Sequence, residues 1–456
     1  MFVNRKAELK KLNELHASGK YECVIIYGRK RVGKTALIKE FIKDKRAVYF
    51  TARADSWNLE HFSHAINAVI APSEQKSTFE DWNLAFEALD SCSRDERLVV
   101  VIDEYPNLAE ACKPIASVLP SQIDQRLKKG KIFLIFCGSN MSFMEDHVLG
   151  YASPLYGRNT AQFRIRPFSF FEAMPFLAQY NKEDRALLYG AIGGMPGYLA
   201  RIDKGKTAMD NLKEMFFKTS GFFFDEPENF LNLEFRRPAA YNDVIGAIAV
   251  GASKFSEIST NSGSGSDNCS KRLTALKTLG LVREEWPLGE KNPSKTTYRL
   301  EDPIFRFWHR FVSPNLDRIE LGQSDVLNAE AVLDYMELVF VDICKQFMVL
   351  EARRRTLPFA ADKVGRWWGS DPINKTSEEI DVVLWKGDSA ILCNCKWNNE
   401  PMRIEDLDAL KKRAKLVRFT NNWLWLFSKS GFDETLASEA AKDSKVRLVS
   451  FEEMLP

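Results

Sequence analysis

The stretch Gly28-Arg29-Lys30-Arg31-Val32-Gly33-Lys34-Thr35 decides how this chain is read. It follows the apolar run Glu22-Cys23-Val24-Ile25-Ile26-Tyr27 and leads into a segment of helical spacing, Thr35 to Lys43. The pattern G-x-x-x-x-G-K-[ST] thus stands in the strand, turn and helix setting that it requires. Glycines at 28 and 33 let the backbone curl until successive N–H groups point inward, and the helix that follows adds its positive end, which makes an anion cradle. Lys34 is placed to reach the β- and γ-phosphates of a nucleotide and Thr35 to ligate Mg²⁺. Arg29, Lys30, Arg31, Val32 and Ala36 complete the phosphate-lining stretch.

Working outward, the runs Ala47-Val48-Tyr49-Phe50, Leu98 to Asp103 and Ile132 to Cys137 read as further strands, separated by helix-length segments of polar patterning. That alternation predicts a parallel sheet covered on both faces. The run Leu98-Val99-Val100-Val101-Ile102 ends in Asp103-Glu104. Asp103 is the carboxylate expected beside Mg²⁺ and Glu104 the base expected to polarise an attacking water. ATP is the expected nucleotide.

With 456 residues the chain is about three times a usual ~150-residue domain, so several cores are expected. Its 64 Lys and Arg against 62 Asp and Glu give a net charge of +2, too small to argue for nucleic acid or an anionic membrane globally. The eight cysteines are dispersed and read as reduced, buried thiols, and the close pair Cys393 and Cys395 has no zinc-ligand spacing. No apolar run approaches the ~20 residues that cross a bilayer and no signal pattern opens the chain, so no membrane partner and a cytoplasmic location are expected.

Beyond about residue 165 the apolar strand runs give way to helical spacing, with Gly193-Gly194-Met195-Pro196-Gly197 as punctuation. Residues 240 to 312 read as three short helices and two small strands, a winged-helix pattern. Lys271 and Arg272 fall on its expected recognition helix, and Lys291 and Lys295 in its expected wing. This local basic excess suits DNA phosphates, although such modules also serve protein partners. From about 330 a helix leads into strands at Ile380 to Trp385, Ala390 to Cys395 and Trp423 to Ser428.

Read in order, Phe2-Val3-Asn4-Arg5, the glycine-rich loop, Asp103-Glu104, Cys137-Gly138-Ser139-Asn140, Pro154-Leu155-Tyr156-Gly157-Arg158, Gly193-Gly194-Met195-Pro196 and Asp302-Pro303-Ile304-Phe305-Arg306-Phe307-Trp308 resemble the archaeal-type P-loop ATPases. These form a STAND-related branch of the AAA+ proteins and often carry a winged helix and a restriction-endonuclease-like C-terminal domain. The resemblance covers essentially the whole chain. It implies that Asn4 and Arg5 lie near the adenine, that Ser139 or Asn140 is a polar sensor and that Pro196 packs on the nucleotide, and it leaves Arg158 as either an arginine supplied across an interface or a solvated surface arginine. Asp381, Asn394 and Lys396 resemble the D…(E/D)-x-K core of PD-(D/E)xK nucleases, with Glu379 beside it. That chemistry needs two acids converging on Mg²⁺ with a lysine beside the attacking water. Here neutral Asn394 replaces the second acid and Phe340-Val341 stands where Phe-Glu is usual, with Glu337 and Asp342 nearby, so lost cleavage is expected.

The expected architecture is therefore α/β: a P-loop NTPase parallel sheet over residues 1–165, a helical lid over 166–238, a winged helix over 239–325 and a degenerate nuclease-like domain over 326–456. The expected activity is Mg-dependent ATP hydrolysis acting as a conformational switch. Alternatives are a nucleotide-gated regulator or adaptor that binds double-stranded DNA or a protein client, and a DNA-processing nuclease. Oligomeric state is left open by the sequence.

Overall fold

The computed structural model describes residues 2–70, 78–288, 295–323, 325 and 327–455. The chain divides into two compact units, one of residues 1–167 with 195–198, the other of residues 168–194 with 199–456.

The first unit is built on five strands: β1 (Glu22–Tyr27), β2 (Ala47–Thr51), β3 (Leu98–Asp103), β4 (Ile132–Gly138) and β5 (Ala161–Arg164). All pair in parallel in the order β2-β3-β4-β1-β5. Every residue of β1, β3 and β4 is buried, as strands covered on both faces must be. β5 was not legible as an apolar run. It is a four-residue edge strand, Ala-Gln-Phe-Arg, whose side chains alternate between half-buried and exposed.

The second unit begins with helices, among them Lys182–Ile192, Ala208–Phe216 and Glu226–Glu234. Phe216, Phe223 and Phe307 are fully buried, and the Phe216 ring centroid lies 4.8 Å from each of the other two. Three further helices, Pro238–Ala249, Phe255–Asn261 and Ser266–Thr278, precede the antiparallel pair β6 (Val282–Glu285) and β7 (Thr297–Leu300). A 26-residue helix, Ala329–Arg354, then leads to a second sheet. Its strands are β8 (Lys363–Asp371), β9 (Thr376–Lys386), β10 (Ser389–Lys396), β11 (Asn421–Ser428) and β12 (Val446–Ser450), in the order β12-β11-β10-β9-β8. β8, β9 and β10 are antiparallel, whereas β10, β11 and β12 run parallel.

The segment after β6 lies along the edge strand of this sheet. Pro287 bridges Arg366, the Leu288 N–H donates to the Arg366 carbonyl at 3.0 Å, and the Leu288 side chain enters the core with Trp367, Ile380 and Val383. Lys291 lies outside the described residues. All eight cysteines are free; six are buried as expected, whereas Cys92 and Cys112 are only half-buried. Among the described residues, no helix is long and apolar enough to cross a membrane.

Candidate functional site

The turn that leaves β1 curls because its backbone occupies conformations few residues adopt. Gly33 has φ +97° and Arg31 φ +67°. At Gly28 an added Cβ would lie 2.4 Å from the Ile165 carbonyl oxygen, so a side chain there collides with backbone. Gly28→Ala is therefore expected to cost about 2 kcal/mol through steric conflict. A lower urea midpoint with unchanged slope would register it; an unaltered midpoint would show that the contact yields freely.

Helix Lys34–Ile42 starts directly from this turn. Lys34 is buried, and its Nζ donates to the carbonyls of Gly28 at 2.8 Å and Arg29 at 3.1 Å. Desolvation holds its pKa below the ordinary lysine value, although Cys137, Glu104 and Asp103 oppose the shift. A cation in this setting gains from a nearby anion more than one in water does. Thr35 and Ala36 are exposed at the helix start.

The parallel register carries Asp103, the last residue of β3, to the same end of the sheet. Thr35 Oγ1 donates to Asp103 Oδ2 at 3.2 Å, and the Tyr49 hydroxyl from β2 donates to that same oxygen. Asp103 Oδ1 accepts from the Glu104 N–H at 3.0 Å. A hydroxyl and a carboxylate side by side are hard oxygen donors of the kind Mg²⁺ takes together with substrate phosphates, so this pair fits the ion. Tyr49 was missed as a site residue. It sits inside an apolar strand, and its partner lies far along the sequence.

Glu104 has φ +53°, a left-handed backbone that costs an L-residue roughly 1–2 kcal/mol. Its Oε2 accepts from both the N–H and the hydroxyl of Ser139, at 3.2 and 2.8 Å. Ser139 follows β4, and Gly138 before it allows close packing: a Cβ there would lie 2.5 Å from Met144 Sδ and 2.9 Å from Pro106 Cδ. Asn140 is differently engaged. It is exposed, and its Oδ1 accepts from the Phe143 N–H as the cap of the next helical turn.

Two distant segments close on the glycine-rich turn. Asn4 and Arg5 both have left-handed backbones, and Arg5 donates to the Val32 carbonyl at 3.2 Å and the Arg166 carbonyl at 2.6 Å. From residues 195–198, the Gly197 N–H donates to the Arg31 carbonyl at 3.0 Å, and Pro196 Cγ would lie 3.7 Å from a Cβ at Gly33. The structure thus brings Asn4, Arg5, residues 28–36, Asp103, Glu104, Ser139 and Pro196 to one end of the sheet. It does not bring Arg158 there. Arg158 precedes β5 at the opposite end, where its Nε and NH2 donate to Asp124 Oδ2 at 3.0 and 2.5 Å.

In the second unit, Asp381 on β9 and Lys396 on β10 lie on adjacent strands but are separately engaged. Asp381 Oδ2 accepts from the Cys395 N–H at 2.8 Å, whereas Lys396 Nζ pairs with Asp406 Oδ1 at 3.2 Å. Glu379 pairs with Arg366 at 2.9 Å, and Glu337 Oε2 accepts from the Trp397 N–H at 3.0 Å. Asp342 is not part of this group. Burial opposes its ionisation, yet Arg306 at 2.7 Å and Arg283 at 3.6 Å hold its carboxyl well below the usual range. That makes it a structural ion-pair partner: its removal would take a carboxylate from mostly buried Arg306, whereas Arg283 would keep Glu285 and Glu301, each at 2.7 Å. Among the described residues, no group of three or more His, Cys, Asp or Glu is arranged to hold a metal ion.

Burial raises the pKa of Asp381 from 3.8 to about 6. A carboxyl whose folded pKa exceeds its unfolded value contributes stability in its protonated form, and that contribution is lost as pH rises from about 4 to about 6. The difference corresponds to about 3 kcal/mol, which partial solvent contact reduces to about 1–2 kcal/mol. Asp381→Asn is expected to stabilise the protein by that amount at pH 7 and to flatten this part of the pH profile. Urea titrations at pH 4 and pH 7 check both; equal effects at the two pH values would show that Asp381 titrates normally.

Residues 2–202 match the family described as an ATPase domain predominantly from Archaea, and residues 308–413 match one described as archaeal and bacterial proteins of unknown function. Over 422 residues the chain is 31% identical to the uncharacterized protein MJECL04 of Methanocaldococcus jannaschii, which spans 92% of this chain and 91% of the relative. The uncharacterized ATP-binding protein MJ0423 of the same organism is 52% identical over 46 residues, 10% of this chain and 78% of its own. Among solved structures, the Walker-type ATPase paby2304 of Pyrococcus abyssi superposes with a TM-score of 0.50 at 20% identity, over 68% of this chain and 96% of that one, and shares its fold.

Proposed function

The chain belongs to the same family as the uncharacterized protein MJECL04 of Methanocaldococcus jannaschii and carries the archaeal ATPase domain over residues 2–202, and on that premise we propose that its ATPase works as a Mg-dependent conformational switch. The carrying observation is the convergence of Lys34, Thr35, Asp103 and Glu104 at one sheet end, with Pro196 and Gly197 folded against the same turn.

In this reading the inward N–H groups of residues 28–35 and the Lys34 ammonium hold the β- and γ-phosphates. Thr35 and Asp103 would hold Mg²⁺, which supplies charge neutralisation on the phosphates when bound. Tyr49 fixes Asp103 by its hydrogen bond and so positions that carboxylate. Ser139 takes up Oε2 of Glu104, which assigns Oε1 the proton of the attacking water. Asn4, Arg5 and Pro196 would border the adenine. A nucleotide touching both the phosphate turn and residues 195–198 shifts the protein only by its difference in affinity for two forms, and loss of the γ-phosphate removes part of that difference.

The downstream modules are read as a helical lid over 166–238, a winged helix over 239–325 and a nuclease-like domain over 326–456. For the last, support comes from the helix before β8 and from Asp381 and Lys396 on neighbouring strands; Asn394 and the Lys396–Asp406 pair support loss of cleavage. DNA contact through Lys271, exposed on helix Ser266–Thr278, remains the partner reading for the winged helix. ATP turnover measured alone and with added duplex DNA tests the switch: stimulation or inhibition by DNA supports coupling, and identical rates would remove DNA as the coupled partner. Arg158, remote from the turn of its own chain, could reach the phosphates of a bound nucleotide only in a neighbouring copy.

A further inference from the structure

At the end of the first sheet opposite the phosphate turn, three short segments enclose a recess of ≈ 580 Å³. They are the residues entering β1, β4 and β5, and because these strands are parallel their starts share one edge, roughly 20 Å from the phosphate turn along the six residues of β1. Lys20, Lys128, Lys129, Lys131 and Arg158 line the recess. Among the described residues one carboxylate, Asp124, pairs with this set, and it is shared between Lys128 at 2.7 Å and Arg158 at 2.5 Å. Lys131 donates to the uncharged carbonyl of Asp95 at 3.2 Å. The lining is therefore strongly positive although the chain as a whole is nearly neutral.

What lines the rest of the recess narrows the ligand. Glycines 19, 130 and 157 leave its walls low, and Asn159 and Thr160 add small polar groups. Among the described residues no aliphatic side chain belongs to the lining, so the lining lacks the apolar anchor around which protein interfaces concentrate their energy. Tyr21 is the only aromatic of the lining among the described residues and is half-buried, so the recess itself offers unpaired bases no platform of exposed rings, and the exposed pair Tyr151 and Tyr156 stands outside that lining. Exposed cations on a low, polar surface match a chain of phosphates whose bases are already paired. We propose that this recess binds the phosphodiester backbone of a nucleic-acid duplex without reading its sequence. Its lining shares no residue with the nucleotide turn or with residues 239–325, and the proposal stands whether or not the switch reading holds.

The test is fluorescence anisotropy of labelled 20-base-pair DNA and RNA duplexes with the full chain, from 50 to 200 mM salt. Each phosphate contact contributes about 0.9 to the slope of log affinity against log salt. Lys128→Ala/Lys131→Ala is expected to weaken binding about tenfold and to flatten the slope by about 2, whereas Lys128→Arg/Lys131→Arg retains both. Both lysines are exposed, and an unchanged thermal midpoint establishes that the variants are folded. Loss confined to DNA or to RNA identifies the duplex. The proposal is overturned if neither duplex binds with salt dependence, if the alanine pair binds like the parent, or if polyglutamate of equal charge competes as well as the duplex.

Discussion

Lys34→Met is expected to lower ATP affinity at least about 100-fold and to eliminate hydrolysis. The buried ammonium would make more than one charge-assisted hydrogen bond to the phosphates, each contributing about 1.5–3 kcal/mol. Methionine is unbranched and one heavy atom shorter, and it removes the charge. The native Nζ also binds the Gly28 and Arg29 carbonyls, so the variant leaves two acceptors without this donor. Far-UV circular dichroism and the thermal midpoint separate that structural loss from lost binding. Calorimetric titration with Mg-ATP gives the affinity; a folded variant that binds like the parent would show that the turn is not the nucleotide site.

Glu104→Gln is expected to reduce kcat by about 10²–10³-fold while ATP affinity stays within about threefold, as for loss of a general base. Glutamine can still accept from the Ser139 N–H and hydroxyl, so the geometry after β3 persists while the proton acceptor is gone. Single-turnover hydrolysis alongside equilibrium binding is the measurement. Turnover at the parent rate would remove Glu104 from the chemistry and direct attention to Asp103. A fall in affinity matching the fall in rate would instead make Glu104 a binding residue.

The centre of the ATPase sheet and the phosphate turn could be read from sequence because both are locally dictated. A strand buried on both faces is a continuous apolar run, as Leu98 to Ile102 is, and the curl between residues 28 and 33 depends on glycine at its two ends. What escaped has a common cause. β5 and β8 are edge strands, and their mixed polar composition, with Gly365 and Gly369 in β8, lacks the signature of a central strand. Tyr49 and Asp342 escaped or misled because their meaning lies in partners distant in sequence, Asp103 for one and Arg306 with Arg283 for the other. Asp342 stands beside Phe340-Val341 in the sequence, yet its carboxyl is taken up by Arg306 and Arg283.

The strand-like segment at Pro287 and Leu288 also bears on how this protein can be dissected. A fragment beginning at the 329–354 helix would strip the cover from β8 and leave its backbone groups open to any other extended chain, a recognised route to fibrous self-association. Truncations intended to isolate the last sheet should therefore start upstream of β6, where the fragment retains its own edge guard.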